Sequence, residues 1–286
     1  MTLQIGFIGL GNMGMAMAKP LVKKGFPLIV FDLNPEAMTE MAKLGAQTAA
    51  SCREVAQKSH VIISVVRDSA QNNQVLFGKD GVWEGISKDK IIIVASTVSP
   101  KYVQQLAQKA KEIGVHVIDM GVSDPSGPLH YQEACLTLMI GGEEEPVARC
   151  RPLFAAMGEH IFHLGPVGTG MAYKLVNNLS AIGNAAITRE CINLGLKAGL
   201  DLDKMLEVMS VSSGGTCLQQ IEVYMKKHGL KRPASKASGD TKLTNKDKKL
   251  ALELAASVGA QTPIADFLST LDLSVYDAYL TAKAQD

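Results

Sequence analysis

Three glycines at positions 9, 11 and 14 and an aspartate at position 32 are the first residues of this chain whose types and spacing could do chemistry. The glycines stand in "IGFIGLGNMGMAMAKPLVKKG", directly after an apolar run and before a helix-forming stretch. A lone G-x-G-x-x-G says little. A strand before it, a helix after it and an acid about 20 residues on make it a dinucleotide signature. Gly9 permits a tight turn, Gly11 lets a pyrophosphate approach the backbone, and Gly14 lets the helix pack close to the strand. The unpaired N–H groups and dipole of the helix start attract phosphate. Asp32 ends the second apolar run, where its carboxylate can accept bonds from ribose hydroxyls and would repel a 2′-phosphate. Leu33 and Asn34 supply no arginine for such a phosphate. These residues favour NAD as cofactor and leave NADP open.

Lys174 and Asn178 form a second pair, at a spacing that puts both on one helix face, with Asn177 beside them. Taken alone, such a pair is more often a solvated face. It follows "Gly168-Thr-Gly170" at a predicted junction between two kinds of structure, where a lysine could move a proton and an amide could orient a substrate.

The elements that must position these residues differ between the two halves. In residues 1–164 apolar runs alternate with amphipathic stretches: strands at Gln4–Ile8, Leu28–Phe31, "HVIISVV", "KIIIVAS", "VHVID", "CLTLMIGG" and "HIFHLG" are separated by helices. Asn34 and Ser99 are expected caps, each followed by proline at the first helical position. Pro20 interrupts the first helix and predicts a kink. The alternation predicts an α/β, Rossmann-type N-terminal domain with a mostly parallel sheet covered on both faces. Residues 165–286 predict an all-α C-terminal domain, opening with one long helix from Thr169 to Lys197 after the hinge "LGPVG".

Composition narrows the function. A net charge of +1 over 286 residues gives no basic field for nucleic acid. Five cysteines, none at CxxC spacing, fit reduced cytoplasmic thiols better than a disulfide framework. His160 and His163 point to opposite faces of a predicted strand, so no metal site is expected. No basic segment with a long apolar run opens the chain, and no run reaches the ~20 residues of a membrane span. The basic stretch "KKHGLKRPASK" at 226–236 reads as a solvated loop.

Four blocks in order, "GFIGLGNMGMAMA", "GVS" at 121–123, "GTGMAYKLVNN" at 168–178 and "NKDKKLALELA" at 245–255, resemble the β-hydroxyacid dehydrogenases. The resemblance runs from residue 3 to about 270. It implies a Rossmann-type domain followed by a helical one, and an NAD(P)-dependent oxidoreductase acting on a small β-hydroxy acid or its semialdehyde. Lys174 would be the general acid and base, Asn178 and Asn177 would orient the substrate, and Ser123 would bond to its hydroxyl or carboxylate. Asn12, Met13, Val65, Val66, Thr97 and Lys246 would contact the cofactor. A lysine suits that role if its pKa is drawn from ~10.4 toward ~7–8. The resemblance further implies a homodimer or homotetramer.

The chain departs from the family where "VS" is normally followed by glycines. Asp124 and Pro125 stand there, a carboxylate and a residue without an N–H. Either Ser126 and Gly127 take over anion binding, or the pocket takes a substrate with a cationic or neutral group, such as an amino alcohol. Arg67 is a second departure, an exposed loop arginine or a clamp for a substrate anion. Two other readings stand beside the dehydrogenase: an imine or ketone reductase on the same scaffold, and a non-catalytic dinucleotide sensor.

Overall fold

The computed structural model describes residues 3–124, 135–216 and 241–271. The chain divides into two units, Met1–Lys174 and Leu175–Asp286.

The first unit is built on one sheet of eight strands: β1 (Ile5–Ile8), β2 (Leu28–Phe31), β3 (Gln47–Thr48), β4 (Val61–Ser64), β5 (Ile91–Val94), β6 (His116–Ser123), β7 (Leu136–Gly141) and β8 (Gly158–His163). Their spatial order is β3-β2-β1-β4-β5-β6-β7-β8. All pairs are parallel except β6 with β7. The register aligns Phe31, Ile8, Ser64, Val94, Asp119 and Gly141 in one row across the sheet. For β1, β2, β4 and β5 this row is the carboxyl edge.

Side chains alternate between two cores, as a strand's two-residue period requires. Ile5, Phe7, Val61, Ile63, Ile91 and Ile93 pack with α1 (Asn12–Lys23), α2 (Pro35–Lys43) and α6 (Glu144–Met157). Ile8, Ile62, Ile92 and Val94 pack with α3 (Cys52–Lys58), α4 (Ser69–Phe77) and α5 (Pro100–Glu112). Full burial of each such side chain contributes ~1.5–3 kcal/mol. That accounts for the unbroken apolar runs of the central strands.

Asn34 caps α2 by accepting from Glu36 N–H, and Ser99 caps α5 by accepting from Tyr102 N–H, both as read from sequence. Pro20 lies buried inside α1, which runs on to Lys23. Three features go beyond the sequence reading: the helix α4, the two-residue β3, and a 3-10 turn at Val82–Glu84. In addition, β6 continues past Asp119 to Ser123, because β7 supplies antiparallel partners for its last residues.

The second unit is helical. Helix α7 (Thr169–Lys197) starts in the first unit and continues into it. It is followed by α8 (Leu202–Ser210), capped by Asp201, and by α9 (Thr241–Val258) and α10 (Pro263–Thr270). The buried Lys248 of α9 donates from Nζ to the carbonyl of Leu268 on α10 at 3.2 Å. The helix expected over "TCLQQIEVYMKKHG" falls almost wholly outside the described residues, as do the basic stretch at 226–236, His130, Ser126 and Gly127. No helix of the described residues is long and apolar enough to cross a membrane.

Candidate dinucleotide site and the lysine-bearing helix

The loop residues read from sequence leave the sheet at the common row. Gly9 directly follows Ile8 and has φ +98°, a conformation that disfavours any residue with a Cβ. A Cβ there would also run into the carbonyl of Val65. A Cβ on Gly14 would run into the carbonyl of Gly9, so the start of α1 lies against its own loop. Gly11, by contrast, faces open space. It is the N-cap of α1, with no side-chain cap bond and no acid in the first turn. Asn12 and Gly11 are exposed and Met13 is half-buried. The helix start thus offers backbone donors to an anion from a surface that no Cβ blocks.

Asp32 stands one residue past Phe31, and backbone donors orient it. Leu10 N–H donates to Oδ2 at 2.5 Å and Asn34 N–H to Oδ1 at 2.8 Å. The carboxylate borders an open groove of about 480 Å³ lined by Phe31, Leu33, Met38, Ala42 and Thr48 among others. That groove, half apolar and edged by an acid, fits an adenosine end, and the Gly11 surface fits a pyrophosphate. The donor set of this edge therefore fits a dinucleotide.

Val65 and Val66 follow β4 and are half-buried. Val66 N–H donates to Oγ of the buried Ser96 at 2.8 Å, which ties the loop after β4 to the loop after β5 that carries Thr97. Arg67 is exposed. Ser123 closes β6, pairs with Thr137, and is half-buried, as is Asp124 after it.

Lys174 lies early on α7 and is 8% exposed. Its backbone comes close to β6: a Cβ on Gly121 would sit 2.6 Å from the Cβ of Lys174. The expectation that the lysine belongs to a solvated face is therefore not met. Sequence reasoning missed what anchors this helix. Asp119, fully buried, accepts from Gly168 N–H and Met171 N–H, each at 2.7 Å. Burial pushes its carboxyl up to about 6, with those backbone donors pulling the other way.

In the second unit, Asn178 Nδ2 donates to Asp247 Oδ2 at 2.8 Å, and Lys246 Nζ lies 3.0 Å from Asp247 Oδ1. Asn177 is exposed, with Nδ2 3.5 Å from the oxygen of Asn178. Asp247 is buried and joins two residues singled out from sequence. It stands in the block "NKDKKLALELA", where its type beside Lys246 was the available signal. Among the described residues no group of His, Cys, Asp and Glu could hold a metal ion.

Residues 4–165 match the model of the NAD binding domain of 6-phosphogluconate dehydrogenase. Residues 168–284 match the model of the NAD-binding region of NADP-dependent 3-hydroxyisobutyrate dehydrogenase. The chain is 36% identical to the mitochondrial 3-hydroxyisobutyrate dehydrogenase of Mus musculus over 73% of its own length, and spans 62% of that relative. Two Pseudomonas aeruginosa proteins align more fully. An NAD-dependent L-serine dehydrogenase is 36% identical over 96% of this chain and 91% of its own. A 3-hydroxyisobutyrate dehydrogenase is 35% identical over 98% and 93%. The crystal structure of a 3-hydroxyisobutyrate dehydrogenase from Salmonella typhimurium superposes with a TM-score of 0.82 at 26% identity, covering 98% of this chain and 95% of that one. An imine reductase from Myxococcus stipitatus shares the fold at 20% identity and a TM-score of 0.67, covering 99% and 95%. Two family models that together span almost the whole sequence, and relatives aligned nearly end to end, lead to one assignment: the chain belongs to the β-hydroxyacid dehydrogenase family.

Proposed function

We propose that this protein is an NAD(P)-dependent oxidoreductase, NAD being favoured, that interconverts a small β-hydroxy acid and its semialdehyde. Residues 1–164 would bind the dinucleotide and residues 165–286 form the helical domain. The observation that carries the reading is the burial of Lys174 against β6, the strand next to the dinucleotide loops. A surface lysine would have no reason to be there. The bound nicotinamide supplies or takes up the hydride. Lys174 gives a proton to the carbonyl oxygen when the aldehyde is reduced and takes it from the hydroxyl in the reverse direction. Ser123 bonds the substrate hydroxyl or carboxylate, and Asn178 with Asn177 orients it. Gly9, Gly11, Asn12, Met13 and Gly14 hold the pyrophosphate, Asp32 the ribose. Val65, Val66, Thr97 and Lys246 contact the nicotinamide end.

Asp124 supports a finer reading. A carboxylate directly after Ser123 disfavours a second carboxylate at short range and suits a hydroxy acid that also carries an ammonium group. The Pseudomonas aeruginosa relative named for L-serine has a substrate of that kind.

The test is nicotinamide absorbance with a panel of hydroxy acids and semialdehydes, with and without an amino group, for wild type and Lys174→Ala. The variant is expected to bind NADH within about twofold of wild type and to lose ~10²–10⁴-fold in turnover. Wild-type turnover by the variant would remove Lys174 from the chemistry. Cofactor binding without turnover by wild type on any substrate would favour a dinucleotide sensor instead.

A further inference from the structure

Asp119 lies in the row from which the dinucleotide loops depart, and its two oxygens are divided between two donors. Oδ1 accepts from Gly168 N–H and Oδ2 from Met171 N–H, both at 2.7 Å and across 49 and 52 residues of sequence. Those donors belong to the group that every helix start leaves without an intrahelical partner. A cap normally comes from the residue that precedes the helix. Here that residue is Gly168, which has no side chain and stands at φ +101°. The cap comes from the sheet instead.

Packing tells the same story. A Cβ on Gly121 would lie 2.6 Å from Lys174 Cβ and 2.9 Å from the carbonyl oxygen of Gly170. A Cβ on Gly141 would lie 2.9 Å from Gly170 N, and one on Gly170 would lie 2.8 Å from the carbonyl oxygen of Asp119. Glycines on both sides let the helix backbone come down onto β6 and β7, within reach of the buried carboxylate. Met171 then buries its side chain in the core under β4 and β5, and Lys174 follows one turn on.

We infer that Asp119 is a positioning residue, which fixes the start of α7 to the sheet row bearing the dinucleotide loops and so sets where the amine of Lys174 is delivered. The inference rests on Lys174 being the proton-transfer group. An ionised carboxylate is required because both donors need an acceptor. An amide offers one oxygen and turns an N–H toward the other donor.

The experiment compares Asp119→Asn with wild type and Lys174→Ala in three measurements: NADH affinity, the single-turnover rate of hydride transfer, and hydrogen exchange at the amides of Gly168 and Met171. Asp119→Asn is expected to exchange faster at both amides and to keep NADH affinity within about twofold. Its hydride transfer is expected to fall about 10–100-fold, the scale set by small displacements of a reacting group. Faster exchange with wild-type hydride transfer would make Asp119 a structural cap only and overturn the inference, as would unchanged exchange. If Asp119→Asn does not fold, Gly121→Ala displaces the same turn of helix from β6. Wild-type hydride transfer in that variant overturns the inference, and a loss with NADH affinity retained supports it. Wild-type turnover by Lys174→Ala is a separate outcome that removes the reading on which the inference rests.

Discussion

At the scale of single residues, the carboxylates do the organising. Asp32 has one lone pair of each oxygen committed to a backbone N–H, of Leu10 and of Asn34. It is therefore aimed before any ribose arrives. Hydrogen bonds to a charged group are each worth ~1.5–3 kcal/mol. Asp32→Ser is thus expected to weaken NADH binding roughly 10–100-fold while NADPH binding falls less. Titration of both cofactors by fluorescence checks this, and an unchanged NADH-to-NADPH ratio would show that Asp32 does not read the ribose. Asp32 was legible in the sequence because its meaning is local: a strand, a glycine loop and a spacing. Asp119 and Asp247 were not. Asp119 closes the apolar run "VHVID" and reads as an ordinary polar strand end. Its role comes from a helix some fifty residues later, a relation that no window along the chain contains.

At the scale of elements, legibility followed the strength of the pattern. Helix α7 has the bounds expected from sequence, and α2 and α5 have their expected caps. Helix α4 went unread because it buries only Asn72 and Leu76 and has no apolar stripe to announce it. Its cap, Asp68, accepting from Gln71 N–H, was the one local sign. The end of β6 was misplaced because its last residues are held by β7 rather than by their own propensity. Contacts between elements also carry a prediction. Gly14 is where α1 presses on the loop before it, so Gly14→Ala must push the helix start away from Gly9. Overpacking of this kind costs typically ~1–3 kcal/mol. A fall in the urea midpoint together with weaker NADH binding is expected. Loss of one without the other would show that the helix start and the cofactor surface are not the same structure.

At the scale of the whole molecule, the buried Asp119 makes stability depend on pH. Its ordinary value is 3.8, and burial raises it to about 6. Between these values the folded chain holds a proton that the unfolded chain has released. Stability therefore rises as pH falls through that window, and the ionised group costs the fold about 3 kcal/mol above it. Asp119→Asn lacks this proton. The stability of wild type relative to the variant is expected to grow by up to that amount between pH 7 and pH 4, as read from urea midpoints. A difference that does not change with pH would mean that the carboxyl is not perturbed.

The order of the strands also has a consequence during synthesis. The strands that lead into the dinucleotide loops, β1, β2, β4 and β5, are neighbours in the sheet and lie within the first hundred residues of the chain. The loop through Thr97 thus emerges from the ribosome well before Lys174 is translated. On the proposed reading a nascent chain has the means to recruit its cofactor before it can use it. Whatever binds there stabilises the growing sheet by mass action, so cellular dinucleotide acts as a folding template before it acts as a redox carrier.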